Sequence, residues 1–210
     1  MVGLAIHTTS PELGLAISNF KDDTRQQSWA FGYDLSTHLH PTLMEFLRPY
    51  QWTDLSFLAV ARGPGGFTGT RIGVVTARTL AQQLNLPLFG ISSLAAMVRW
   101  AIDQDPSLLS DPSGVIAVDM KAQRDMRFVA IYRPTATGLT ALQPDQVMPP
   151  ATWETTLASW PTPVTRITAE ADQGKTALQV LTLAHQALQQ GICPHWSEVL
   201  PYYGQHPVDS

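Results

Sequence analysis

Gly63-Pro64-Gly65-Gly66-Phe67-Thr68-Gly69-Thr70-Arg71 follows directly on Leu55–Ala61, an almost unbroken apolar run. Such a run reads as a strand buried on both faces, so the order is strand, glycine-rich turn and helix, the helix running to about Leu84. Four glycines in seven residues call for positive φ angles or for close backbone approach. A turn of this kind ahead of a helix can also offer free N–H groups to an anion. The two phosphate-binding fingerprints are not met, however. No Gly-Lys-Ser/Thr follows, and Thr68 stands where the third glycine of G-x-G-x-x-G would fall after Gly63 and Gly65. Inside the helix, Gly69, Gly73, Ala77 and Ala81 recur every four residues and form one smooth stripe, with Ile72, Leu80 and Leu84 beside it. Two interior glycines cost roughly 1 kcal/mol each relative to alanine. Small side chains let helix axes come closer than the usual ~8–10 Å. The stripe therefore serves close packing, either on the protein's own sheet or against another chain.

Upstream, Leu4 and Ile6, then Leu13, Leu15 and Ile17, alternate with small or polar residues around Ser10-Pro11-Glu12, a β-hairpin pattern. Residues 28–33 are aromatic-rich and predict a third strand. Ser36 or Thr37 then caps a helix with Leu39, Leu43, Phe46 and Leu47 on one face, Pro41 in its first turn and Pro49 at its end. Downstream of the glycine helix, residues 87–91 predict a strand, and Ser92 or Ser93 caps a helix through Trp100. Residues 103–114, rich in Asp, Pro and Ser, form the best linker. Beyond it, residues 115–118, 126–132 and 139–147 predict three strands, 153–157 a short helix and 164–167 a strand. Ala177, Val180, Leu181, Ala184 and Leu188 make a helical stripe closed by Gly191. The order of three strands and a helix thus occurs twice, which suggests a duplicated lobe.

The chain has 210 residues, 44% of them hydrophobic and only 14% charged, with a net charge of −4. Phosphate neutralisation supplies most nucleic-acid affinity; here the basic residues are scattered and offset by acids, so any service to RNA is expected beside a more basic subunit. The single cysteine, Cys193, excludes an internal disulfide and any multi-cysteine zinc site. Met-Val-Gly-Leu-Ala-Ile-His lacks a basic leader, and no apolar stretch is long enough to span a membrane, so a cytoplasmic location is expected.

The stretch from Gly63 through Arg71-Ile72-Gly73, followed by Ala77, Leu80 and Ala81 and then by Pro87-Leu88-Phe89-Gly90-Ile91-Ser92-Ser93-Leu94, closely resembles the TsaB family. The usual form there is G-P-G-S-F-T-G-x-R-I-G, and Gly66 stands where serine is common. The likeness extends to Leu4-Ala5-Ile6 with Thr8-Thr9-Ser10, to His38, to Ala117-Val118-Asp119 and thinly to Val199-Leu200-Pro201-Tyr202. The resemblance implies an α/β fold of the ASKHA type (actin, sugar kinase, Hsp70-like) with two lobes, residues 1–103 and 104–210. Each lobe is then a mixed sheet with flanking helices, the second reduced. It also implies a part in forming N6-threonylcarbamoyladenosine at position 37 of tRNAs reading ANN codons, as the non-catalytic partner of the transferase TsaD. In that family the pair associates through the first two helices of the first lobe, assisted by the ATPase TsaE, and TsaC-type enzymes supply threonylcarbamoyl-AMP. The implied partner-binding residues are His38, Leu39, Thr42, Leu43 and Phe46 on one helix and Gly69, Ile72, Gly73, Thr76, Ala77 and Leu80 on the other. No cofactor is expected, tRNA is reached only through the complex, and the free chain is expected to form a homodimer. A bulky residue at Gly73 or Ala77 would then abolish association and leave the chain folded.

The alternative is a self-contained enzyme, an ASKHA-type ATPase or a metallopeptidase-like protein. ATP-using members of that superfamily carry an aspartate near the end of the first strand, where this chain has His7, a poor ligand for a hard cation. Asp119 is the candidate counterpart in the second lobe, with a structural role favoured. His38 and His40 stand two apart on a helix, about 200° around it, and cannot share an ion. Thr42 occupies the position that would complete the H-x-x-x-H of the related transferase. His185, Cys193, His195 and His206 lack a base or acid at a telling spacing, and Ser92-Ser93 lacks the G-x-S-x-G elbow.

Overall fold

Strands β1 (Val2–His7) and β2 (Leu13–Ser18) form the hairpin that the alternation predicts, with Leu4 opposite Ile17 and Ile6 opposite Leu15. The computed structural model that shows this describes residues 1–111, 113–170 and 172–204. The third strand lies earlier than residues 28–33: β3 (Thr24–Trp29) pairs antiparallel with β2 from Thr24 opposite Ser18 to Trp29 opposite Leu13. The chain leaves the sheet after Trp29 because Gly32, at φ +55°, donates its N–H to Pro11 O and starts a 3₁₀ turn over Gly32–Asp34. Trp29 instead meets Phe46 edge-on, ring centroids 5.9 Å apart.

Helix α1 (Leu35–Leu47) begins earlier than expected, with Asp34 at the cap position and no side-chain capping hydrogen bond from Ser36 or Thr37. Pro41 therefore sits inside the helix rather than in its first turn. An interior proline costs ~3 kcal/mol. Burial of Leu35, Leu39, Leu43, Phe46 and Leu47 offsets it, at about 1.5–3 kcal/mol for each fully buried large side chain. Strand β4 (Leu55–Ala61) runs parallel to β1, helix α2 (Phe67–Leu84) follows, and β5 (Leu88–Ile91) lies parallel to β4. Asn85, left-handed at φ 53°, ends α2 by donating its N–H to Ala81 O and Gln82 O. Helix α3 (Ser93–Gln104) extends one turn beyond Trp100 and is capped by Ser92, whose Oγ accepts from Leu94 N and Ala95 N. The predicted linker holds the last residues of α3 and a 3₁₀ turn, Pro106–Leu109.

The second half contributes β6 (Val115–Lys121), β7 (Arg127–Thr135), β8 (Gly138–Met148), α4 (Pro150–Ala158), β9 (Val164–Ala169) and α5 (Ala177–Gln189). Its sheet order is β8-β7-β6-β9, against β3-β2-β1-β4-β5 in the first. In both sheets the first strand pairs antiparallel with the second and parallel with the fourth. This repeated wiring, one strand shorter in the second lobe, is the two-lobed ASKHA-type arrangement.

Alternation along the strands assigns each face its cover. Leu4, Ile6, Leu13, Leu15, Leu58 and Val60 pack with α1 and with Val74, Ala77 and Ala81 of α2. Ala5, Ala16, Phe57, Ala59 and Ala61 pack instead with Val180, Leu181 and Ala184 of α5. Ile116, Val118 and Met120 of the second sheet meet Leu94, Met97 and Val98 of α3, while Val115 and Ala117 on the reverse side meet Trp153 of α4. Helices α3 and α5 therefore lie between the two sheets, α3 on the second and α5 on the first.

The small-residue stripe of α2 faces inward. Gly73, Ala77 and Ala81 are buried, and a Cβ built on Gly73 would overlap Thr8 Oγ1, while one on Gly69 would overlap Thr8 O. Thr8 Oγ1 donates to Gly69 O at 2.8 Å. Of the two packings open to the stripe, the one against the protein's own sheet is realised, so the buried Gly73 and Ala77 have no surface to offer a partner in the free chain. The expectation that bulk there leaves the fold intact is corrected accordingly. Gly73→Leu should lower unfolding stability by about 3 kcal/mol, the upper part of the range for overpacking, as read from urea midpoints. Gly66→Ala, where the nearest atom to an added Cβ is 3.6 Å away, should cost far less.

Candidate docking face and interlobe layer

The glycine turn is built around the end of β1. Gly66 N donates to Thr9 O at 2.7 Å, and Thr70 N and Oγ1 both donate to Gly66 O, at 3.0 and 2.8 Å. The carbonyl oxygens of Thr9 and Thr8 occupy the space in front of Gly65 and Gly69. A phosphate would meet acceptors there, which repel an anion, so the turn joins strand to helix and does not cradle a ligand.

The predicted partner-binding residues divide into two groups. Leu39, Leu43, Phe46, Gly73, Thr76 and Ala77 are buried beneath α1 and α2 as part of the core. His38 is exposed, its ring stacked on Phe31 with centroids 4.7 Å apart, and Thr42, Gly69, Ile72 and Leu80 are half-buried. The accessible faces also carry residues that the sequence reading did not assign to partner binding, among them His40, Met44 and Glu45 on α1 and Thr68, Arg71, Val75 and Thr79 on α2. Met44 is 63% and Val75 53% exposed, large values for apolar side chains on otherwise well-packed helices. The signal that could have found them was the outer position: Val75 is two residues from the buried Gly73 and Ala77, across the helix from the stripe.

Between the sheets, the residues where a nucleotide-binding relative would need hard ligands and open space do not fit that group. His7 alternates with Ala5 and so faces α5; it is fully buried, and neither ring nitrogen has a hydrogen-bond partner among the described residues. Burial pushes its pKa down to about 3, so the imidazole is neutral at pH 7. Beside it, the backbone of Gly174 lies so close to Gly14 that a Cβ on Gly14 would overlap it. Thr9 Oγ1 donates to Gln173 Oε1 at 3.3 Å, and Gln173 Nε2 is directed at Met120 Sδ, which closes the layer from both lobes. Asp119 faces the other way, with Val115 and Ala117 toward α4. Its buried carboxylate is held by Arg127 at 2.7 Å and Arg166 at 3.1 Å, a structural ion cluster. No step involving a nucleotide follows from this arrangement.

The remaining candidates have structural explanations. Ser92 caps α3, and its hydroxyl donates to Asp145 Oδ1 at 2.8 Å; Tyr132 OH donates to the same oxygen at 3.1 Å. Burial pushes the Asp145 carboxyl above its ordinary value. His185 stacks on Phe20 at 3.7 Å, His195 accepts from Ser197 N to close a 3₁₀ turn, and Cys193 is an exposed free thiol. His206 lies outside the described residues. Among the described residues no three of His, Cys, Asp and Glu are grouped to hold a metal, and no helix is long and apolar enough to cross a membrane.

The state of His7 has a measurable consequence. The unfolded chain takes up a proton on this residue below about pH 6.5, whereas the folded chain does not until about pH 3. Its contribution is thus complete above pH 6.5 and is lost as pH falls from 6.5 toward 3, by up to about 1.4 kcal/mol per pH unit. Wild-type stability should fall by about 2 kcal/mol between pH 7 and pH 5 from this residue alone. Urea titrations of His7→Leu over the same range should give a visibly flatter dependence.

The family model described as TsaD, tRNA N6-adenosine threonylcarbamoyltransferase, matches residues 35–192. The tRNA threonylcarbamoyladenosine biosynthesis protein TsaB of Bacillus subtilis (strain 168) is 31% identical over 157 residues, 73% of this chain and 64% of that protein. TsaB of Escherichia coli (strain K12) is 49% identical over 49 residues, 23% of this chain and 21% of that one. These matches thus span less than two thirds of either relative's length. Two solved structures share the fold over nearly the whole of both chains. One is a Pseudomonas aeruginosa protein described as uncharacterized with similarity to peptidase YEAZ (TM-score 0.78, 20% identity, 97% of this chain and 99% of that one). The other is YeaZ from Pseudomonas aeruginosa (TM-score 0.76, 19% identity, 96% and 99%). With the TsaD model matched from α1 to the end of α5 and the glycine turn in place, the chain belongs to the TsaB family.

Proposed function

We propose that this chain is the non-catalytic partner of a TsaD-like transferase in forming N6-threonylcarbamoyladenosine at position 37 of tRNAs reading ANN codons. It docks through the outer faces of α1 and α2. The observation that carries this reading is the pair of helices covering one side of the first sheet, whose outward residues are apolar or uncharged apart from Glu45 and Arg71. Depletion of charge with exposed Met and aliphatic side chains is the composition of an interface core. The TsaD model matches this chain itself, which supports a partner of the same fold, one able to present an equivalent helix pair. The filled interlobe layer supports assigning the chemistry to that partner. A TsaE-like ATPase assists the pair, and tRNA is bound only through the complex, in keeping with the net charge of −4. Alone, the chain forms a homodimer through the same face. The competing reading, a self-contained ATPase or peptidase, requires tight Mg-ATP binding or a retained metal, both open to calorimetry and elemental analysis.

Co-purification with the transferase and the ATPase, followed by tRNA modification with and without this chain, tests the reading: product should form only when the chain is present. Val75→Glu, on the exposed face, should abolish the heterodimer in size-exclusion chromatography and render the free chain monomeric, with its unfolding midpoint within about 0.5 kcal/mol of wild type. An intact complex from this variant would sink the assignment of the face. Transfer of the threonylcarbamoyl group by the isolated chain would sink the non-catalytic role.

A further inference from the structure

After α5 the described residues, through Gly204, add no strand to either sheet; they run along the outside of the first lobe as a belt and return to the second. Leu88 N donates to Pro194 O at 3.3 Å, which covers the outer edge of β5. The Arg78 guanidinium of α2 lies over the Trp196 ring at 5.8 Å. Val199 is buried against Gly90, and Tyr202 N donates to Arg62 O at 2.7 Å. The carbonyl of Tyr202 rests on Gly63, which at φ +105° has no Cβ to exclude it. The belt then divides its contacts. Tyr202 OH donates to Asp145 O on β8 of the second lobe at 2.8 Å, and Tyr203 lies on Phe67, the first residue of α2, with ring centroids 4.4 Å apart. Between belt and β5 a pocket of about 310 Å³ remains, bordered by Arg62, Phe89 and Val199. The belt is thus held by hydrogen bonds and ring contacts together with the burial of Val199 in the first lobe's core.

The first turn of α2 needs such support. Its cap residue is Gly66, which has no side chain to satisfy the leading N–H groups, and Gly69 follows within the turn. The approach to β1 imposes the second of these, Gly69, and leaves the helix start weak by roughly 1 kcal/mol for this interior glycine alone. We infer that residues Tyr202 and Tyr203 form an interlobe brace that holds the first turn of α2 in the conformation that the docking face requires. The brace is anchored on the second lobe through Asp145 and is made by residues outside that face. Tyr202 and Tyr203 are positioning residues for partner binding. This inference rests on the docking reading given above.

Hydrogen exchange of the free full-length chain, paired with titration of the TsaD-like transferase, tests it. Tyr203→Ala and Tyr202→Phe should each speed exchange of the amides of residues 70–74 by about three- to ten-fold, the factor expected from loss of an aromatic pair or of one hydrogen bond. Exchange in β1 and β6 should be unchanged, and transferase affinity should fall by a similar factor. Tyr203→Phe, which keeps the ring on Phe67, should restore both readings. Unchanged exchange at the start of α2 in both disruptive variants overturns the brace. Weaker binding with unchanged exchange overturns it as well, since Tyr203 would then be a direct contact. A wild-type chain that does not bind the transferase overturns the docking reading, and exchange in the free chain still decides whether the brace exists.

Discussion

The approach of the end of β1 to the first two turns of α2 is the constraint on which the first lobe is arranged. Thr8 and Thr9 press their carbonyl oxygens into positions that only glycine leaves open at residues 65 and 69, and the Thr8 hydroxyl closes on the Gly69 carbonyl. Moving the helix outward by the width of one methyl group would separate Val74, Ala77 and Ala81 from Leu4, Ile6 and Val60, the centre of the lobe's core. The glycines weaken the helix as an isolated segment, and the tertiary contact they permit more than recovers that loss. Local propensity yields here to packing, as it does at Pro41 in α1.

Much of the architecture was legible because it rests on periodicity. The buried strand Leu55–Ala61, the glycine helix and the repeated order of three strands and a helix are read directly from alternation and from small-residue spacing. Residues 28–33 read as a strand because Trp29, Phe31 and Tyr33 have strand-forming side chains, whereas β3 ends at Trp29 and Gly32 has already turned the chain. The first helix was expected at Ser36 or Thr37, since hydroxyl residues are good caps; a preceding 3₁₀ turn makes that cap unnecessary.

The candidate site was less legible for one physical reason. A stripe of small residues announces close approach but not the identity of the neighbour. At Gly73 the neighbour is Thr8, at the end of β1, and Ala77 lies in the core of the same lobe; six of the eleven residues implied as partner-binding are buried in this way. The true outer surface, with Met44 and Val75, carries no special pattern in a sequence, because scattered exposed apolar residues are normal. His7 was recognisable as a departure from an aspartate, yet only the three-dimensional arrangement shows that it is sealed without a hydrogen-bond partner, and that Asp119 points to the opposite side of its own sheet.

The crossed placement of the two inner helices gives the molecule a property that neither sheet has alone. Helix α3 ends the first half of the chain but covers the second sheet, and α5 ends the second half but covers the first. Separating the two halves would strip each sheet of its inner layer and expose Ala5, Phe57 and Ala59 on one side and Ile116, Val118 and Met120 on the other. The two lobes are consequently not free-standing modules: the inner layer of each sheet is supplied by the other half of the chain, and neither core closes without both.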